Sequence, residues 1–371
     1  MLRKTLLLSV AGFAATFLAF AQPAPVGRPF LVSTATEITV SAADLSVAAD
    51  GRFVAVWGAT TNSLGGSESR IMARVFDAQG RPLTGELRVA SGSSLSTYSP
   101  FVALLEPDVF LVGWLESRVV FARRYGFDGR PRGRSFELVR PEDPASSFFV
   151  LTQTCADAQG RFLLYWREDL RLLARRFDHR ARPLGELIEV ATTDHYGSAD
   201  MALGCNAAGE FALVGTGDPT ASDSLWVRRW DGEGRSLGAA LEVTAGENTF
   251  GPTVALAEDG HFAVAWGSGS RKHRARFFRP DGRPLGRAKT VLTLDVGVNR
   301  LGSYDFLALA DGDFLQLWHD LALRVGGIPD PVVFAQRFAP TAAVVAMVSS
   351  CASLPDPRPG TSRCAATPST V

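Results

Sequence analysis

A phrase of residues that recurs about every 50 positions, apolar runs of four to eight residues bounded by turn formers, and the lack of helical periodicity predict an all-β protein. Together they specify a six-bladed β-propeller of four-stranded antiparallel blades, its ring closed by an N-terminal strand. A chain of 371 residues would otherwise suggest two domains, but a repeat this regular removes that inference.

The first element is residues 1–21. Arg3 and Lys4 precede an uncharged stretch from Thr5 to Phe20, and Ala19-Phe20-Ala21 forms a small-residue cleavage site before Gln22. This reads as a secretory signal peptide. Its apolar run is shorter than the ~20 residues that cross a bilayer, and no Cys stands at the cleavage site. The expectation is a secreted protein, periplasmic or extracellular, without membrane insertion. Residues 22–345 form the propeller, and 346–371 a Pro-rich tail in which Cys351 and Cys364 bracket a possible loop.

The repeat is plainest in its fifth copy. Pro252 to Glu258 leads into Asp259-Gly260-His261-Phe262 and a strand ending at Trp266; Ala275-Arg276-Phe277-Phe278 and Asp281-Gly282-Arg283-Pro284-Leu285-Gly286 follow. The strand-ending Trp recurs as Trp57, Trp114, Trp166 and Trp318, with Val214-Gly215 in the fourth copy. The Ala-Arg pair recurs at Arg74, Arg123 and Arg175, with Val227-Arg228 and Ala335-Gln336 as variants. Each copy reads as four short strands. The second, as in Phe53 to Trp57, is apolar at both parities, so both faces of its sheet are covered. Stacked blades meet that condition; a sheet with one solvated face would alternate.

Closure follows from what the last copy lacks. It ends at Phe338-Ala339-Pro340 without the Gly-Arg-Pro turn, whereas Gly27-Arg28-Pro29-Phe30 and the strand-like Glu37 to Val40 supply that turn and a fourth strand at the other end. An N-terminal strand completing the sixth blade would leave no open sheet edge. The alternative gives the fourth strand to Ala342–Val348 and leaves the N-terminus free.

The pattern V-A-x-x-x-D-G-x-F-x-V-x-W followed by A-R-x-F-D-x-x-G-x-P-L-G resembles a repeat of exported bacterial β-propeller-type proteins, over about 300 residues. The resemblance implies architecture and brings no catalytic residues with it.

Charge excludes a bulk nucleic-acid field. Removing Arg3 and Lys4 leaves 36 basic against 38 acidic side chains, a formal charge of −2. The turn Asp residues, such as Asp50, Asp77 and Asp259, read as β-turn formers whose carboxylates take nearby backbone N–H groups. A calcium role would need 6–8 oxygens, and one carboxylate per turn falls far short. No cofactor is expected. The recurring Arg, buried between blades, must be latched to Asp or carbonyl groups. The recurring Trp is inter-blade core first and a sugar platform second.

Cys155 and Cys205 hold matching first-strand positions in adjacent copies and, in an exported protein, are candidates for a disulfide. No metal spacing and no G-x-S-x-G elbow occurs. Asp44, Asp200 and Asp305 lie near the start of the first strand in three copies; carboxylates converging on a channel could do the acid and base work of a glycosidase, or simply cap strands in solvent.

The first-to-second and third-to-fourth strand turns are uniform, while the connections at the opposite end vary. Variable loops on a rigid scaffold carry recognition. That face collects Tyr98, Glu116, Arg167, Asp194, His195, Tyr196, Asn248, Tyr304, His319 and Asp320. Tyr beside carboxylates suits a glycan or protein ligand. The expected function is a monomeric, non-catalytic binding propeller; the alternative is a glycan-cleaving enzyme.

Overall fold

The computed structural model describes residues 32–34, 39–63, 66–92, 100–142, 149–192, 201–216, 224–244, 249–269, 272–293, 301–309, 312–320, 324–325, 328–329, 332–338 and 344–349. Among them there is no helix. The first sheet holds β1 (Thr39–Val47), β2 (Phe53–Ser63), β3 (Gly66–Phe76) and β4 (Leu87–Gly92). The second holds β5 (Phe101–Glu106), β6 (Val109–Glu116), β7 (Val119–Gly126) and β8 (Phe136–Val139); the third β9 (Phe149–Ala156), β10 (Phe162–Glu168), β11 (Arg171–Phe177) and β12 (Pro183–Thr192). The fourth holds β13 (Met201–Cys205), β14 (Phe211–Thr216), β15 (Leu225–Trp230) and β16 (Leu241–Thr244); the fifth β17 (Thr249–Leu256), β18 (Phe262–Ser268), β19 (Lys272–Phe278) and β20 (Lys289–Thr293). The sixth begins with β21 (Leu301–Ala308) and β22 (Phe314–Asp320), makes an excursion through the two-residue pairs β23 (Arg324–Val325) and β24 (Ile328–Pro329), and ends with β25 (Val332–Phe338) and β26 (Val344–Ser349). All six are antiparallel meanders.

Strand chemistry explains the pattern. Every residue of β10 is buried, both parities alike, because a sheet packs on each side of it. The two aromatic residues of each repeat are ladder partners: Phe53 faces Phe76, Phe162 faces Phe177 and Phe262 faces Phe278. Their rings stack at 4.8, 5.0 and 4.7 Å between centroids, and Phe211 on Trp230 repeats the contact at 4.9 Å. Such cross-strand pairs add about 0.5–1.5 kcal/mol beyond area burial.

First strands of consecutive sheets lie side by side, β1 by β5, β5 by β9, β9 by β13, β13 by β17 and β17 by β21. Five apolar clusters fill the seams between consecutive sheets. Val56, Ile71, Val102 and Trp114 are central to the first seam, and Phe277, Phe306 and Phe314 to the fifth. Between the first and sixth sheets the picture changes: Leu45, Val47 and Leu307 are 55%, 58% and 40% exposed.

The fourth place in the sixth sheet belongs to β26, paired along β25 from Phe334↔Ser349 to Phe338↔Val344. This corrects the expectation that Glu37 to Val40 fills it: Thr39 and Val40 instead open β1, opposite Thr60 and Ala59. The connection from β25 to β26 spans only residues 339–343, so closing that local hairpin costs far less chain entropy than bringing the N-terminus across. β26 also runs through the point where the tail was expected to begin. Residues 1–31, with the signal segment and Gly27-Arg28-Pro29, and residues 350–371, with Cys351 and Cys364, lie outside the described residues.

Candidate functional site

The six first strands line one cavity of about 1780 Å3. Asp44 from β1, Phe101 from β5, Cys155 from β9, Cys205 from β13, Thr253 from β17 and Leu307 from β21 all face it. Its wall mixes apolar side chains with polar ones, among them Asp44, Gln153 and Asn206.

Asp44 is held rather than free. Its Oδ2 accepts the N–H of Val102 on the next sheet at 2.9 Å and its Oδ1 that of Leu45 at 2.8 Å. Burial raises the Asp44 carboxyl above its ordinary pKa, and these two hydrogen bonds only partly offset that. Gln153 does the same work two sheets on, taking the N–H of Leu203 at 2.9 Å. The ladders show the equivalence: Asp44 faces Val56 and Gln153 faces Tyr165, each three residues past the Phe that opens the second strand. Asp44 is therefore a strut between first strands that also touches the cavity. Asp200 lies outside the described residues; Asp305 sits on β21 opposite Leu317 in the same ladder position as Asp44, its side chain outside the description.

One end of the sheets is closed by self-satisfied turns. In the third sheet Asp157 accepts the N–H groups of Gln159 and Arg161 at 2.9 Å, and Arg161 Nε returns to its Oδ2 at 2.6 Å. Asp77, Asp178 and Asp231 repeat the arrangement. Burial alone would raise Asp178 and Asp231, but backbone N–H groups and the following Arg outweigh it and hold both carboxyls low. The Asp lone pairs are thus spent on backbone and guanidinium, and among the described residues no three His, Cys, Asp or Glu side chains gather as a metal site would.

Three of the recurring Arg side chains reach out of their own sheet, whereas Arg123 donates to the Gly133 carbonyl in the turn after its own strand at 3.1 Å. Arg276 Nη1 donates to the Val243 carbonyl of the preceding sheet at 2.7 Å, Arg228 to the Val190 carbonyl, and Arg74 to Val32 at 3.0 Å. Arg276 and Arg74 also lie over the rings of Phe278 and Phe76 two residues on. For Arg276 and Arg228 the partner is a carbonyl because the fourth strand of the sheet before presents its backbone edge there, β16 and β12 respectively.

The opposite end varies. β6 and β7 join through Ser117 and Arg118, both left-handed at φ 48° and 66°, and β10 and β11 through a turn with Asp169 at φ 49°. Left-handed pairs suit a two-residue hairpin, but Ser and Arg adopt that conformation at a cost, and such strain concentrates at functional sites. Glu116 is fixed beside them, accepting the Trp114 indole N–H at 3.3 Å. Arg167 is buried, and burial lowers its pKa. Arg171, which the sequence did not single out, bridges Glu142 at 2.9 Å and Glu189 at 3.1 Å. The long connection between β22 and β25 forms the other extreme of this end. His319, Asp320 and Tyr304 are placed by backbone on β22 and β21; Tyr98, Asp194, His195, Tyr196 and Asn248 lie outside the described residues. Trp57, Trp114, Trp166 and Trp266 are all at most 3% exposed and offer no sugar platform; the last three are seam core, while Trp57 is buried on the face of β2 away from the first seam.

No protein-family model matches the chain, and no curated protein matches it. Solved structures do. A protein from Lactobacillus plantarum is 10% identical over 82% of this chain and 83% of its own, with a TM-score of 0.50. Prolyl oligopeptidase B from Galerina marginata, bound to a 25mer macrocyclization substrate, is 12% identical over 84% of this chain but 43% of its own, with a TM-score of 0.50. The alpha-L-arabinofuranosidase from Fusarium graminearum is 12% identical over 81% and 93%, with a TM-score of 0.46. The first two are propeller-type folds, and at such identity the likeness extends to the fold alone.

Proposed function

We propose that the chain is a secreted six-bladed propeller, exported by residues 1–21, that binds a glycan or protein ligand at its variable end. The observation that carries this reading is the asymmetry between the two ends of the sheets. At one, the turns repeat and satisfy their own Asp, Arg and backbone groups; at the other, connections range from Ser117-Arg118 to the excursion through β23 and β24. A rigid scaffold with one conserved geometry and one varied rim is built for recognition.

The ring itself is part of the proposal. The six sheets are its blades, the cavity its central channel, and the seam between sixth and first sheets closes with Val32–Thr34 on the first sheet and β26 on the sixth. Thr34 Oγ1 donates to Glu86 at 2.8 Å, and Val32 stands to Arg74 as Val243 stands to Arg276.

The test is a glycan array and a protein-capture screen with the full chain, followed by variants. Glu116→Ala with Arg118→Ala should weaken binding at least tenfold while Arg81→Ala with Arg235→Ala leaves it intact. Equal loss from both pairs, or retention by the first, overturns the assignment of the binding face.

Glycan cleavage is the second reading, and what favours it is Asp44, a carboxyl raised by burial on the cavity wall. Turnover that survives Asp44→Asn, Asp200→Asn and Asp305→Asn would end it.

A further inference from the structure

We propose that Cys155 and Cys205 are an oxidisable pair that forms a disulfide tying the first strand of the third sheet to that of the fourth. Both are free thiols here. Their ladder positions differ by one rung, since Cys155 faces Leu163, one residue past the strand-opening Phe162, while Cys205 faces Phe211 itself. That offset is what neighbouring first strands require. Asp44, at rung three, reaches Val102 at rung two, and Gln153, at rung three, reaches Leu203 at rung two. The same slip brings rung one of β9, Cys155, against rung zero of β13, Cys205.

Contacts agree with the register. Cys205 Sγ lies 3.8 Å from the carbonyl of Ala156, the residue after Cys155. The Cys155 thiol is pushed up by burial and further by its hydrogen bond with Cys205. Both side chains border the large cavity, through which an oxidant can arrive, and a second void of about 20 Å3 beside them, which gives the sulfurs room to turn.

The oxidant is a small disulfide such as oxidised glutathione. One Cys thiolate attacks a sulfur of that disulfide, and its S–S bond breaks to release one thiol and leave a mixed disulfide. The second Cys thiolate attacks the protein sulfur and expels the second thiol. The two protein thiols are oxidised, the reagent is reduced to two thiols, and the two protons pass to them. The bond would close a loop of about 50 residues between the third and fourth sheets.

The full chain is incubated with oxidised glutathione at pH 8, alkylated and mapped by mass spectrometry without reduction. The expected product is one cross-linked peptide pair containing Cys155 and Cys205, two mass units lighter than the free pair, with a Tm higher by on the order of 5 °C that dithiothreitol reverses. Alkylated or singly glutathionylated Cys155 and Cys205, or a bond from either to Cys351 or Cys364, overturns the proposal. No variant needs to fold for this result, and binding at the variable end does not enter it.

Discussion

Arg74 donates through Nη1 to the carbonyl of Val32 at 3.0 Å, across 42 positions of sequence. In the fourth and fifth sheets the matching Arg228 and Arg276 reach the fourth strand of the sheet before, at Val190 and Val243. Among the described residues no sheet precedes the first, and Val32, in the segment before β1, takes the place of that fourth strand.

Arg74→Ala should therefore destabilise the whole domain by about 1–3 kcal/mol, the range for a part-buried charged hydrogen bond. Deleting residues 22–34 should cost at least as much, and the double change little more than the deletion, because both remove one interaction. Urea midpoints of the three proteins measure this. Additive losses would show that Arg74 and the segment act separately.

His273 sets an acid limit. It is fully buried against Gln316, with 3.1 Å between ring nitrogen and amide nitrogen, and burial lowers its pKa to about 4. An unfolded chain takes up this proton near pH 6.5 while the folded one refuses it until about pH 4. Stability from this group is full above pH 6.5 and drains as pH falls toward 4, by about 3 kcal/mol in all. Its ladder neighbours Gly267 and Leu292 carry no charge to soften the effect. The difference in unfolding free energy between wild type and His273→Gln, followed from pH 7.5 to 4.5, should hold level to about pH 6.5 and then fall in disfavour of wild type; a constant difference throughout would refute it.

Asp44 separates strut from charge. Asp44→Ala leaves the Val102 N–H without its acceptor and should cost about 1–3 kcal/mol. Asp44→Gln keeps an acceptor, as Gln153 does in the third sheet, and removes a carboxylate whose ionisation burial opposes. At pH 7 it should be at least as stable as wild type, by thermal or chemical denaturation.

Two left-handed glycines differ in what surrounds them. A Cβ on Gly160, at φ 70°, would lie 1.7 Å from the Leu105 carbonyl oxygen of the second sheet, whereas one on Gly185, at φ 68°, meets nothing within 4 Å. Gly160→Ala should cost about 3 kcal/mol or more, strain plus a forced shift of the seam, and Gly185→Ala about 1 kcal/mol from strain alone. Equal melting temperatures for the two would refute the close approach of the second and third sheets at that turn.

The repeat alone determined five of the meanders and the first three main strands of the sixth, because apolar runs between Gly and Asp turns are local instructions, as in Phe262 to Trp266, which buries both faces. It likewise located the turn Asp residues, the two ends of the sheets and the latching Arg at Arg74, Arg228 and Arg276, though not the inward bond of Arg123. Tertiary structure decided what depends on neighbours distant in sequence. Whether Asp44 is a reacting group or a strut rests on the N–H of Val102, 58 positions away. That β26, and not the N-terminal strand, completes the sixth sheet rests on the entropy of a short loop against a long one. The stagger that sets Cys155 against Cys205 is a property of how two sheets lean together, and no single strand encodes it.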